Sequence, residues 1–472
     1  MAKKSAALDM TQGSPVKLMI RFALPMMIGS VFQSMYTMVD SAVLGKYVGS
    51  EALSAIGSAS STTFMLLMLA TSITSAVSIV ISQHVGSNNK DKIRSAMVST
   101  VYLTLGVGVF LGVISFLLAR PLMLLLGTPD NTIDNAVIYI QLIGGFCIVS
   151  FIYNSTSSIL RAIGDSTTPL IFLIICSVLN IIFDLIAVLA LHRSVDGVAV
   201  ATLIAQGISA VLSIFYMFKK YPMLRITVKD LMTPDWKEMG RIFGMGAQMA
   251  FQSAMLSVGM LAITRVINSY GSDVVAAYTV GSNVQNLAAM LFSNFAFGFS
   301  VYVGQNYGAR SEERIRRGVK EILLLVGGLT VVASALALIF ADFLVGIYVK
   351  EEEIKVVEAS LSYVRIQAWF YPFLGWIWVY NSTLKGMGKI TVTMISSFVE
   401  LGSKIGLSIL LPILMGGYIG IWYASPIGWI LGIIPSAIYY YGGYWKRSLR
   451  KLIEKEAAEK AAAKAENAPA EA

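Results

Sequence analysis

The chain has 472 residues, of which 56% are hydrophobic and only 13% charged, and its mean hydropathy is +0.71. Such a composition excludes a soluble globular enzyme and describes a polytopic membrane protein. The formal net charge of +9 invites a nucleic-acid partner, but the basic residues are placed as topological signals and argue against one.

Twelve apolar stretches are long enough to cross a bilayer: 15–40, 52–82, 95–119, 133–159, 168–191, 197–218, 240–266, 276–306, 318–341, 355–383, 391–413 and 418–441. The N-terminus, Met-Ala-Lys-Lys-Ser, has no apolar core of a cleaved signal. With both ends in the cytoplasm and residues near span ends counted with the side they face, the outer side holds only Lys46, Arg120, Arg193, Arg265, Lys350 and Lys355, and the span interiors hold Arg365 and Lys404. Every other Lys and Arg lies inside, as the positive-inside rule requires of an inner-membrane protein.

The first span opens at Ser14-Pro15, a favoured helix start, and Pro25 interrupts it, freeing a backbone carbonyl and permitting a kink. It ends on Asp40, with Tyr36 and Gln33 on the same face at i−4 and i−7. The next connections are short and polar, Ser87-Asn88-Asn89, Thr128 to Asn131, and Gly164 to Thr167, and leave no room for a catalytic domain. In the fifth span Asn180 and Asp184 stand at i and i+4, so an amide and a carboxylate converge on one face. A charge there costs several kcal/mol unless paired or wetted.

Helix rise brings these groups to a common depth. Asp40 lies about 28 Å beyond Arg21 and Asp184 about 22 Å beyond Pro169, both in the outer half of the membrane. Thr202 of the sixth span is near the same level, with Gln206 one turn below. Asp40, Asn180, Asp184 and Thr202 together suit a proton or a hard cation such as Na+. Cys147 and Cys176 fall inside spans and read as small apolar residues, and His84 and His192 as interfacial polar residues at span ends.

Residues 219–239 form a polar connection with two prolines and charges of both signs, a linker between halves. The second half repeats the first. Gln83, Gly86 and Arg94 recur as Gln305, Gly308 and Arg316, and Arg161 to Gly164 recurs as Lys385 to Gly388. Gly49 and Gly57 match Gly271 and Gly281, and Gln33 matches Gln252. Six spans per half make the repeats parallel, with lobes at 1–218 and 240–445 and a cleft between them that alternates sides. The tail, 446–472, begins basic and continues as an Ala/Glu/Lys-rich segment, a fraying helix passing into disorder. Within the eleventh span Glu400 and Lys404 at i and i+4 read as a mutually neutralising pair.

The segments Val39-Asp40 to Gly45 after Pro25, Gln83 to Arg94, Leu160-Arg161-Ala-Ile-Gly164-Asp165 to Pro169, and Leu179-Asn180 to Asp184 resemble the multidrug and toxic compound extrusion transporters over residues 10–445. The resemblance implies an all-α fold of twelve transmembrane helices in two six-helix lobes and an antiporter that exchanges H+ or Na+ for organic compounds. In the family's DNA-damage-inducible branch, the one most similar here, the cation or proton site maps onto Asp40, Asn180, Asp184 and Thr202, with Asn154 as a further member. Another branch keeps acids in the seventh and tenth spans, where this chain has Gln248, Gln252, Gln367, Trp369 and Tyr371.

Gln33, Tyr36, Gln252, Met255, Met290 and Trp369 are candidates for a cleft that accepts flat, lipophilic cations, since polarisable side chains adapt to varied ligands. A flippase for lipid-linked precursors is the alternative within the wider superfamily. Such a cleft would carry several intramembrane cations for a phosphate, where this chain offers Arg365 and Lys404. The expected partners are small organic molecules and the lipid bilayer, with the chain a monomer that needs no cofactor beyond the coupling ion.

Overall fold

In the computed structural model, residues 7–350 and 352–466 are described, and these are all-helical. The first half comprises α1 (Pro15–Tyr47), α2 (Ser50–Gly86), α3 (Lys90–Leu125), α4 (Asp130–Ile143), α5 (Cys147–Ala162), α6 (Thr167–Leu185) and α7 (Val195–Lys220). The short α8 (Val228–Met232) and long α9 (Trp236–Asn268) follow, then α10 (Ser272–Gly308), α11 (Glu312–Ile339) and α12 (Ala341–Gly346). The chain closes with α13 (Ile354–Trp369), α14 (Tyr371–Gly386), α15 (Ile390–Met415), α16 (Ile419–Tyr441) and α17 (Tyr444–Glu466). Two compact units result, Met1–Val258 and Gly259–Ala472.

The repeat read from the sequence is written into the backbone. α2 and α10 are both 37 residues long. Each follows a glycine at positive φ, Gly49 at 119° and Gly271 at 93°, a conformation that a side chain would strain. Each is closed by a left-handed non-glycine residue, Asn88 or Arg310. Adding 224 to the limits of α5 gives the limits of α14, and adding it to the first residue of α4 gives the first residue of α13.

Among the described residues ten helices are long and apolar enough to cross a membrane, and the pair α4 and α5, bent by 45° at residues 144–146, makes an eleventh. The remaining expected crossing is α13 with α14, the repeat counterpart of that bent pair. Its composition is diluted by Lys355, Glu358 and Arg365. Pro25 lies inside α1 without ending it, so the helix runs continuously from residue 15 to 47.

In the first unit the segment before α1 is fastened to the start of α6. Leu8 N–H donates to Gly164 O at 3.1 Å. Asp165 accepts from Thr168 N–H and Oγ1, from Tyr221 OH at 2.5 Å and from Lys220 Nζ at 3.3 Å. Burial, and then the Asp165 carboxylate, push the Tyr221 phenol above its ordinary range, so it stays a donor. Further on, the linker is clasped to α2 and α3. Ser95 donates to Asp235, Tyr102 OH to Leu231 O, and buried His84 pairs with Glu238 at 2.5 Å. Two backbone N–H groups and Ser95 hold the Asp235 carboxyl below its usual value.

The fit at Gly164 yields a stability prediction. Its φ is +91°, and a Cβ would lie 2.1 Å from Leu8 O. Gly164→Ala should lower stability by about 1–3 kcal/mol. Gly57→Ala, in a helix with open space around it, should be neutral or slightly stabilising. Thermal unfolding of the purified variants checks both.

Candidate functional site

α1 and α6 pack side by side, as do α6 and α7, and this triplet brings the intramembrane polar groups together. Asp184 and Asn180 are completely buried and Thr202 nearly so, while Asp40 is half-buried. The Asp40 and Asp184 carboxyl groups lie against one another. Tyr36, one turn before Asp40, reaches both Asp40 and Thr202. Asn180 Nδ2 donates to Thr202 Oγ1 at 3.0 Å, which fixes the amide and leaves Oδ1 as its open acceptor.

What distinguishes this cluster is its unspent acceptors. Asp40 Oδ1, Asn180 Oδ1 and both carboxylate oxygens of Asp184 are buried without a hydrogen-bond donor. Buried polar atoms are nearly always satisfied, so four orphaned oxygens in one place are an unusual concentration of acceptors that a positive group can fill. Two carboxylates, an amide oxygen and a hydroxyl make an all-oxygen donor set that suits Na+ or a proton. Among the described residues no group of three or more His, Cys, Asp or Glu gathers as a transition-metal centre would require.

The surroundings are dry on one side. Val43, Leu44, Val137, Ile140, Val188, Val195 and Val198 form one apolar cluster, against which Val39 and Leu185, neighbours in sequence of the two acids, are packed. Nothing there can hydrate a carboxylate. Directly after Asp184 the helix opens into a π-helical turn, Ile186–Ala190, an irregularity that frequently marks functional positions.

Tyr139 of α4 also lies within electrostatic reach of Asp40 and Asp184. Sequence reasoning missed it, because its only signal is one phenol among the apolar residues Val137, Ile138 and Ile140. Asn154 makes its bond within its own helix, Nδ2 donating to Ser150 O at 2.8 Å. Gln206, expected one turn below Thr202, accepts from Ser150 Oγ at 2.5 Å.

The residues considered for a drug cleft occupy varied settings. Gln33 is exposed and Tyr36 half-buried on α1. Gln252 is buried and Met255 half-buried on α9, Met290 is half-buried on α10, and Trp369, at the α13–α14 break, is 70% exposed. In the second half Glu400 and Lys404 meet at 2.6 Å, and Arg365 faces Asp342 at 3.5 Å.

A family profile, MatE, matches this chain twice, over residues 25–186 and 249–410, more than half its length. The chain belongs to the MatE family. As a MatE protein it is a multi-pass membrane transporter and not an enzyme, and the two matches, offset by 224, coincide with its internal repeat. Among relatives, it is 26% identical to the probable multidrug resistance protein YpnP of Bacillus subtilis over 84% of this chain and 87% of that one. To the DNA damage-inducible protein F of Escherichia coli it is 25% identical over 63% of this chain and 65% of that one. A MATE crystal structure in the bent conformation superposes with a TM-score of 0.85 at 20% identity, covering 97% of this chain and all of the other, which shows the fold.

Asn180 has its amide N–H group satisfied by Thr202 alone among the described contacts. Thr202→Val should leave that donor unpaired and cost about 1–3 kcal/mol, whereas Thr202→Ser should restore it. Thermal unfolding of the two variants separates these outcomes.

Proposed function

We propose that this MatE protein is a secondary active multidrug exporter of the bacterial inner membrane, exchanging inward flow of H+ or Na+ for outward movement of amphipathic, often cationic, organic compounds by alternating access. The observation that carries the reading is the set of four orphaned buried oxygens on Asp40, Asn180 and Asp184. Antiport needs an ion whose binding changes the conformational free energy, because only differential affinity moves a transport equilibrium. Two carboxylates pressed together beside an apolar cluster supply that dependence: without a shared positive charge they repel, and with one they draw α1 and α6 together.

Asp40, Asn180 and Asp184, with Thr202 orienting Asn180, are the residues that would hold the coupling ion. Asn154, on α5 and bonded within its own helix, is proposed as a further member. Gln33, Tyr36, Gln252, Met255, Met290 and Trp369 are the proposed substrate contacts. The assignment to the DNA-damage-inducible branch rests on the location of this acid pair in the first half and on glutamines standing where another branch has acids. The proposed lobes are 1–218 and 240–445, joined by a cytoplasmic linker at 219–239 and followed by a cytoplasmic tail. The distribution of Lys and Arg supports both termini facing the cytoplasm.

The flippase alternative asks for unpaired intramembrane cations to hold a lipid phosphate. Lys404 is matched by Glu400 and Arg365 by Asp342, which favours antiport.

Asp40→Asn and Asp184→Asn should each abolish gradient-driven dye efflux from proteoliposomes, by more than tenfold, while the protein remains folded in the membrane. Glu400→Gln should have a smaller effect. Imposing a pH gradient and a sodium gradient separately identifies the ion. Normal efflux by both aspartate variants, or loss only in the Glu400 variant, would place coupling elsewhere.

A further inference from the structure

The second half holds its own acid deep in a helix pair. Glu400 and Lys404 lie one turn apart on α15, their side chains 15% and 17% exposed, with Nζ 2.6 Å from Oε1. The facing helix α16 is cut to receive them. A Cβ at Gly428 would lie 2.5 Å from Lys404 Cγ, and one at Gly432 would lie 2.8 Å from Glu400 Cβ. The two glycines, one turn apart, make room for the two stems. Between them Trp429 presents its ring to the ammonium, 5.6 Å from the ring centre.

The place of this pair in the repeat gives it meaning. α6 and α15 each begin just beyond a left-handed glycine, Gly164 and Gly388. Asn180 and Lys404 each stand 16 residues after that glycine, within uninterrupted helix. Equal counts give equal rise and equal rotation, so Lys404 occupies in the second half the position that Asn180 holds in the first. Glu400 corresponds to Cys176 and Ser408 to Asp184. The supporting helices correspond as well: Asn180 bonds to α7, Lys404 packs on α16, and the first residues of α7 and α16, Val195 and Ile419, differ by the same 224. Where the first half presents orphaned oxygens, the second half carries a covalently attached cation.

We infer that Lys404 is a tethered substitute for the coupling ion, which keeps the second half permanently charge-matched so that one half alone exchanges an ion with solution. This rests on the proposed role of the Asp40 and Asp184 site. α15 has no other charged residue, α16 has none, and α14 has only Lys385, next to its end. Nothing on these helices would neutralise Glu400 if Lys404 were removed.

The test is ion binding by the purified full-length protein, reading radioactive sodium at equilibrium and proton uptake with an indicator dye. Lys404→Met removes the charge while its stem still fills the niche beside Gly428. It should bind one ion more per chain than the unaltered protein. The extra ion should vanish in the double variant K404M/E400Q and should persist when K404M is combined with D40N and D184N. That last background keeps the two readings apart. If D40N/D184N binds as many ions as the unaltered protein, the first-half site fails, and the increment due to K404M is still measurable. A folded K404M with no additional sodium or proton overturns the inference. So does loss of bound sodium in Glu400→Gln alone, which retains Lys404 and should bind sodium as the unaltered protein does. This second variant decides the matter even if K404M does not fold.

Discussion

Everything distinctive here follows from holding two carboxylates against each other in a contact between α1 and α6. A single buried acid can be silenced by one hydrogen bond. Two acids side by side, with an amide oxygen added and four acceptor atoms left open, are harder for the protein that holds them to silence. In the proposed mechanism their stability depends on something positive arriving from outside, and that dependence is the physical content of ion coupling. The surrounding structure keeps the demand intact. The apolar cluster around Val43, Val188 and Val198 denies hydration from one side, and Asn180 turns an amide N–H to Thr202.

The repeat shows how one scaffold was made asymmetric. Both halves start their equivalent helices from left-handed glycines, and the starts of α4 and α13, α5 and α14, and α7 and α16 share one offset of 224. They differ in what they place at the critical rung: open acceptors in one, a closed acid and base in the other. Replacing an amide by an ammonium required an adjacent acid on α15 and two glycines on α16, and all three are present. Matching the charge inside one half removes its dependence on solution ions without changing the backbone that carries it.

Much of this was legible in the sequence because the bilayer imposes simple rules. Span lengths, the distribution of Lys and Arg and the recurrence of Gln83 to Arg94 follow from physics that acts on every residue alike. Asp40, Asn180 and Asp184 stood out because a charge in an apolar run is costly, and helical rise set their common depth. Other features depend on contacts between distant segments. Tyr139 joined the site only through the packing of α4, and His84 found Glu238 across more than 150 residues. The bend between α4 and α5 is a matter of backbone direction, hidden inside a continuous apolar stretch at 133–159. Composition also obscured α13 and α14, whose charges conceal a crossing that its counterpart in the repeat makes plain.

The most direct test of the account is infrared difference spectroscopy of the purified protein in membranes, recording the carbonyl stretch of protonated carboxyl groups as sodium is added or pH is changed. The account predicts one such band that responds to the coupling ion and disappears in both Asp40→Asn and Asp184→Asn, while surviving in Glu400→Gln. A responsive band that persists unchanged in both aspartate variants would contradict it.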